Sequence, residues 1–285
     1  MLININGEIL REENAVISAY DHGFLYGLGV FETFRTYEGH PFLFNDHIQR
    51  LRASLEELHI QLPIEPQELL HEVKRTLQAN EMVDGYIRLN VSAGAGNIGL
   101  QTEPYEQPTL IIYVKSLGDS VRNEKNGTVL SLRRNTPEGQ FRLKSHHYLN
   151  NILAKREVGN DQNVEGIFLT EEGYVAEGIV SNLFWVTGNT LFTPSLSTGI
   201  LNGITRQYVL KVAEKLRLPV KEGLYKREDL LEADEVFVTN SIQEIVPLRS
   251  VDRVSMPGSN GTVTSKLILK YEQDRTSLLS SNDLT

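Results

Sequence analysis

FRLKSHHYLNN, Phe141 to Asn151, sets one amine, Lys144, between a basic strand-like stretch and the first turn of a helix. Such an amine becomes a useful nucleophile when desolvation or nearby positive charge lowers its ordinary pKa of about 10.4. Arg133, Arg134 and Arg142 lie close in sequence and Tyr148 follows one helical turn on, so groups able to shift it are at hand. A surface lysine at a strand end is the plain alternative. A second group is Glu177, in VAEGIVSNLFWV, among small or apolar neighbours and ahead of a strand that reads as buried. A carboxylate there needs a cationic or hydrogen-bonding partner. A protonated heterocyclic nitrogen would serve, and so would a structural ion pair.

A third set suits an anion. In TPSLSTGILNGITRQYVLKVAEKL, Gly199 and Gly203 bracket a turn into a helix that opens with Ile204 and Thr205. Backbone N–H groups and the helix dipole at such a start favour phosphate, although a simple glycine-containing cap looks the same. Ser241, after the strand EVFVTN, could add a hydroxyl, and Arg50, on an early helix, a guanidinium. Amine, carboxylate and phosphate site together match the needs of pyridoxal phosphate, whose ring must be protonated to withdraw electrons.

Two other motifs lead elsewhere. GAGNIG, Gly94 to Gly99, fits the dinucleotide G-x-G-x-x-G spacing, but LQTEPYEQP follows, and its prolines leave no helix to meet a pyrophosphate. It reads instead as a glycine-rich loop beside a site. His146 and His147 are adjacent, so their side chains diverge; they read as packing or supporting groups, and no metal is expected.

The elements that must place these groups are irregularly mixed. MLININGEILRE reads as a hairpin about Asn6-Gly7, and VFETFRTY with HPFLF as a second about Glu38-Gly39. NDHIQRLRASLEELHI carries Ile48, Leu51, Leu55 and Leu58 at helical spacing, with Asn45 or Asp46 as N-cap. PQELLHEVKRTLQAN is a further helix, followed by strands in GYIRLNVSA and PTLIIYVK. Polar, aperiodic SLGDSVRNEKNG reads as a linker. Beyond it come the strand GTVLSLRR, the helix HYLNNILAKREV, strands in VEGIFLT, GYVAEG, SNLFWV and TLFTP, the helix ITRQYVLKVAEKL and the strand EVFVTN. After Thr262 a terminal helix with a frayed polar end is expected. The pattern is α+β or α/β in two domains: 1–118, a linker 119–126, and 127–285.

Composition excludes several classes. With 285 residues, 40% apolar and 23% charged, the chain can bury a substantial core. A formal charge of −9 argues against nucleic-acid binding. Without cysteine there is no disulfide, thiolate metal site or thiol nucleophile. No run of 18 apolar residues and no leader-like N-terminus occurs, so a cytoplasmic protein away from membranes is expected.

In their order, GEILREENAVISAYDHGFLYGLGVFETFR, NDHIQRL, LKSHHYLNNILAKREV, VAEGIVSNLFWV, TGILNGITRQ and TNSIQEIVP resemble the fold-type IV pyridoxal-phosphate enzymes. That family includes branched-chain and D-amino-acid aminotransferases and 4-amino-4-deoxychorismate lyases. The resemblance implies Lys144 as the Schiff-base lysine and Glu177 as partner of the pyridinium nitrogen. It implies a phosphate cradle of Arg50, Gly203, the Ile204 and Thr205 amides and Ser241. Leu201 would pack on the ring and Tyr148 bond its hydroxyl. The implied fold is a small N-terminal α/β domain and a larger pseudo-barrel domain with pyridoxal 5′-phosphate in the cleft, in a homodimer whose partner helps wall the site.

Within the family, VISAYDHGFLYGLGVFETFR, RRNTPEGQFRLKSHHYLNN and AKREVGND are most similar to the aminodeoxychorismate lyases of Gram-positive bacteria. Those enzymes release pyruvate and leave 4-aminobenzoate for folate synthesis. SAGAGNIG departs from the S-R-G-x-G-G-R-G run of other such lyases and lacks both arginines, so other bases must meet a dicarboxylate substrate. Arg35, in FETFR, and Arg88, on the strand before that loop, are the nominees. An aminotransferase for branched-chain or D-amino acids is the alternative, and a non-catalytic anion binder a third.

Overall fold

The computed structural model describes residues 1–117 and 124–284, and the chain divides into two compact units. The first comprises Met1–Gly118, Leu143–His147 and Arg275–Asp283; the second comprises Asp119–Arg142, Tyr148–Asp274 and Leu284–Thr285. Where the sequence suggests one continuous domain over 127–285, two segments instead leave it for the first unit. Of the expected linker, 119–123 lie outside the described residues, and Lys125 and Asn126 already belong to a strand.

In the first unit, β1 (Leu2–Ile5) and β2 (Glu8–Arg11) form the hairpin expected from Asn6-Gly7. Both turn residues have positive φ, 50° and 87°, which a two-residue turn of matching twist requires. Helix α1 (His22–Tyr26) is one turn long, too short to show periodicity. Strand β3 (Gly29–Tyr37) turns at Glu38-Gly39 into a brief β4 (His40–Pro41). Helices α2 (Phe44–Glu57) and α3 (Pro66–Ala79) precede β5 (Tyr86–Ser92) and β6 (Thr109–Lys115). The sheet is antiparallel in the order β2-β1-β6-β5-β3-β4.

Val30, Phe34, Ile87, Leu89, Val91, Ile112 and Val114 form one face of this sheet and pack on Ile48, Leu51, Leu55, Leu69, Val73 and Leu77 of α2 and α3. By strand alternation, the other face carries Phe31, Thr33, Arg35, Arg88 and Asn90. Helix α2 does not start at Asn45 or Asp46. Leu43, at φ 57°, is its N-cap, and Leu43 and Asn45 donate backbone N–H groups to the Leu278 and Leu279 carbonyls. The Asp46 carboxylate accepts from Ser280 Oγ at 2.6 Å and Ser281 N at 2.7 Å. The expected frayed end is therefore a strap that satisfies the start of α2, where helical N–H groups lack partners.

In the second unit, β7 (Lys125–Val129) covers only the start of GTVLSLRR. Helix α4 (Leu149–Val158) follows, preceding β8 (Val164–Leu169), β9 (Val175–Gly178), β10 (Asn182–Thr187) and β11 (Thr190–Pro194). Next come α5 (Ile204–Lys215), β12 (Val220–Gly223), α6 (Arg227–Leu231), β13 (Glu235–Asn240), β14 (Glu244–Val251), β15 (Val254–Ser255) and α7 (Thr262–Asp274). The nine-stranded mixed sheet runs β12-β11-β10-β13-β14-β7-β8-β9, with β15 on β14. It curls: Val175 N of β9, at one end, donates to the Tyr225 carbonyl just beyond β12, at the other, over 2.8 Å. Strand β14 escapes a sequence reading because Pro247 interrupts it, next to a register shift against β7 between Leu248 and Ser250.

Candidate functional site

Lys144 is placed by backbone pairing. Phe31 N donates to the Lys144 carbonyl at 2.9 Å, His146 N donates to the Gly29 carbonyl at 3.0 Å, and Ser145 bridges Val30. Residues 144–146 thus pair with the start of β3 through an isolated bridge at Ser145, on the edge whose far end carries β4. A Cβ on Gly29 would lie 2.3 Å from His146 Cε1 and 2.7 Å from the Val91 carbonyl oxygen, so only glycine admits this approach. Lys144 is half-buried, and its Nζ sits 4.5 Å from the centre of the Phe31 ring. The Arg88 guanidinium is 3.7 Å from that centre, and Nη2 of Arg88 donates to Asn90 Oδ1 at 3.3 Å. His146 stacks on Phe31 and shares Asn90 Oδ1 through Nε2 at 3.1 Å. Burial, followed by the charge of Arg88, lowers the His146 pKa to about 4. The two histidines go separate ways: the His147 ring lies over Gly27, with Nε2 3.4 Å from the Tyr26 carbonyl oxygen. Arg35 lies along the same sheet face, its guanidinium 4.6 Å from the Tyr37 ring centre.

Arg50 meets a residue that the sequence reading missed. Its Nε and Nη2 each donate at 2.7 Å to one oxygen of Glu32, and His47 Nδ1 lies 2.6 Å from Glu32 Oε2. Glu32 is 1% exposed. Burial alone would raise its pKa, but Arg50 and His47 outweigh that and hold it at about 2. Burial lowers His47 more than Glu32 raises it. The pattern was available in principle, because Val30-x-Glu32-x-Phe34 puts an acid in the inward phase of a buried strand.

In the second unit the carboxylate of Glu177, 4% exposed, is already engaged. Arg134 Nε donates to Oε1 at 2.9 Å, Leu201 N donates to Oε2 at 3.0 Å, and Arg142 Nε lies 3.8 Å from Oε1. Two of the three arginines near Lys144 in sequence, Arg134 and Arg142, thus lie beside Glu177. Burial, then Arg134, lowers the Arg142 pKa to about 10. Arg134 also bonds Asn150 Oδ1 and Asn151 Oδ1 of α4, the helix whose N-cap is Tyr148. Each carboxylate oxygen has two lone pairs, so these bonds leave Glu177 capacity for another donor.

Leu201 links this pair to the α5 start, since Gly203 N and Asn182 Nδ2 both donate to its carbonyl. Gly203 is the N-cap, with no side-chain cap bond, and a Cβ there would come within 2.0 Å of Asn182 Oδ1. Ile204 and Thr205 open the helix, buried, and Thr205 Oγ1 lies 3.5 Å from Ser241 Oγ. Glu177, Leu201, Gly203, Ile204, Thr205 and Ser241 therefore form one continuous group, while Lys144, Arg50, Arg35 and Arg88 belong to the first unit. The group has the donor set a phosphorylated pyridine needs: an uncapped helix start beside two hydroxyls, and a buried carboxylate that accepts a hydrogen bond from Arg134.

GAGNIG has a different use. Gly94, at φ 81°, could carry no side chain, because a Cβ would fall 1.9 Å from the Gln107 carbonyl oxygen. His22, fully buried, reaches the Asn97 carbonyl with Nε2 and the Tyr105 hydroxyl with Nδ1, and Gly99 N donates to Tyr26 Oη. The loop is strapped to α1. Among the described residues no group of three or more His, Asp or Glu is arranged to hold a metal, and no helix is long and apolar enough to cross a membrane.

The family model for amino-transferase class IV matches residues 29–251. The aminodeoxychorismate lyase of Bacillus subtilis is 50% identical over 276 residues, 96% of this chain and 94% of that protein. The crystal structure of the Escherichia coli branched-chain amino acid aminotransferase aligns with a TM-score of 0.87 at 30% identity, covering 96% of this chain and 94% of that one. The T.th. branched-chain amino acid aminotransferase complexed with N-(5′-phosphopyridoxyl)-L-glutamate aligns with a TM-score of 0.86 at 31% identity, covering 96% and 94%.

Proposed function

This chain belongs to the amino-transferase class IV family, and on that premise we propose that it is a pyridoxal-phosphate-dependent aminodeoxychorismate lyase. It converts 4-amino-4-deoxychorismate into 4-aminobenzoate and pyruvate, a step of folate biosynthesis. The observation that carries this reading is the 50% identity to the Bacillus subtilis lyase across 96% of the chain.

When bound, pyridoxal phosphate supplies an aldehyde that captures an amine and a cationic ring that draws electrons from the captured carbon. Lys144 is the amine that holds the aldehyde at rest. Glu177, with Arg134 donating to one oxygen and Leu201 N to the other, would hold the protonated ring nitrogen through its remaining lone pairs. The α5 start at Gly203, Ile204 and Thr205, with Ser241 and Arg50, would hold the phosphate; Leu201 would pack on the ring, and Tyr148 would meet its hydroxyl. With the group bound, Lys144 would be placed to take the substrate C4 proton and to return a proton to the methylene carbon of the leaving enol, which becomes pyruvate. Losing that hydrogen and that side chain leaves an aromatic ring, which drives the reaction. Arg35 and Arg88 stand in for the arginines absent from SAGAGNIG and bind the substrate carboxylates.

The working form is a homodimer in the cytoplasm. Phe24 of α1 and Val16, Ile17, Tyr20, Ile98 and Leu100 of the loops beside it are exposed, apolar surface that a second copy would cover.

An aminotransferase is the competing reading, favoured by the transaminase structures the fold matches. Purified protein with pyridoxal phosphate and aminodeoxychorismate, and no keto acid, should form aminobenzoate and pyruvate in equal amounts over many turnovers. Product stopping at one equivalent of enzyme until a keto acid is added would assign it to the transaminases.

A further inference from the structure

Glu32 lies on the helix-covered face of β3, between Val30 and Phe34 in the inward phase, where an apolar residue would fill the core without desolvating a charge. Replacing a buried ion pair by well-packed apolar groups is often neutral or stabilising, so stability alone does not account for a carboxylate there. Its partners are unequal in burial. Glu32 and His47 are each 1% exposed, whereas the Arg50 side chain is 16% exposed. The cluster thus has a sealed end and an end towards the surface.

The geometry fixes orientation. Glu32 chelates the Nε–Nη2 edge of Arg50, both bonds at 2.7 Å, which turns the opposite side of the planar guanidinium away from Glu32. With Glu32 ionised, His47 Nδ1 must carry the hydrogen of the 2.6 Å bond to Oε2, so the histidine fixes the carboxylate from behind. His47 and Arg50 stand one helical turn apart on α2, whose first turn is itself tied by Asp46 to Ser280 and Ser281.

We propose that Glu32 and His47 are positioning residues for the cofactor anion: through this chelate they hold the Arg50 guanidinium in the orientation in which it receives the phosphate. This rests on the reading of Arg50 as a phosphate ligand given above. The clamp removes the rotamer search that a free arginine undergoes on binding, so its effect falls on the phosphate and not on the pyridine ring.

The test titrates the full chain, resolved of cofactor, with pyridoxal phosphate and separately with pyridoxal. His47→Leu should weaken pyridoxal phosphate about tenfold, the effect of one charge-assisted hydrogen bond, and leave pyridoxal within about twofold. His47→Asn, whose amide nitrogen can replace Nδ1, should restore most of the loss. If His47→Leu does not fold, Glu32→Gln supplies the same two-ligand comparison, because an amide cannot accept from both Arg50 nitrogens and His47. Equal weakening of both ligands, or of neither, overturns the proposal. Failure of the underlying reading would look different: Arg50→Met would then leave the preference for pyridoxal phosphate over pyridoxal unchanged.

Discussion

Glu177 uses one oxygen for Arg134 and the other for Leu201 N, so the two readings open from the sequence, ring-nitrogen partner and structural ion pair, are compatible. The arginine offsets the cost of burying the carboxylate, and the remaining lone pairs are left for the ring nitrogen proposed above. His146 illustrates how burial acts the other way where the nearby anion, Asp21, is outweighed. Its pKa falls from 6.5 to about 4, because burial and Arg88 both oppose the charged ring. The unfolded chain therefore binds a proton that the folded chain refuses, and stability falls as the pH drops from 6.5 towards 4. His47 is lowered too and adds to the same slope. Glu32, depressed from 4.5 to about 2, contributes stability that is complete above pH 4.5 and lost as the pH falls towards 2. Urea unfolding of His146→Gln at several pH values should show a shallower loss than the parent between pH 6.5 and 4, with the curves parallel at neutral pH and above. Identical slopes would show that His146 does not carry the effect.

At the scale of elements, the critical contact is the edge of β3 against residues 144–146. Gly29 sets the approach, since a Cβ there would press on His146 Cε1 and on a backbone oxygen of β5 that cannot yield. Gly29→Ala should shift the Lys144 segment by several tenths of an ångström and lower turnover roughly a hundredfold, with the protein still folded. Turnover within about twofold of the parent would mean that Lys144 is positioned otherwise. The elements themselves are largely legible in the sequence. Period-two alternation marks β5, short apolar runs mark β6, β8, β10 and β13, and the 3.6-residue period marks α2, α3 and α5. What stays hidden comes from pairing at a distance. Asp46 reads as an N-cap but serves Ser280 and Ser281, 234 and 235 positions away. Glu32, His47 and Arg50 have meaning only once strand and helix are packed, and Arg134 finds Glu177 across 43 positions. Short α1, α6 and β15 offer too few residues for any period.

At the scale of the whole molecule, the formal charge of −9 contrasts with a first-unit sheet face that carries Arg35 and Arg88 beside Lys144. That contrast suits a small anionic substrate drawn to one locally basic surface and no polyanionic partner. The homodimer proposed above would cover the apolar residues exposed around α1. Phe24, 71% exposed, is the most exposed ring among them; Phe24→Asp should shift the protein from dimer to monomer in sedimentation, whereas an unchanged dimer would place the interface elsewhere. Every catalytic role assigned above requires that a single amine, on the segment held by Gly29 and Phe31, carries the cofactor. Borohydride reduction of the protein loaded with pyridoxal phosphate, followed by digestion and mass measurement of the peptides, reads this out. The pyridoxyl mass should appear on the peptide containing Lys144 and vanish in Lys144→Ala. Its absence from that peptide at saturating cofactor, or its appearance on another lysine of the parent chain, would refute the assignment.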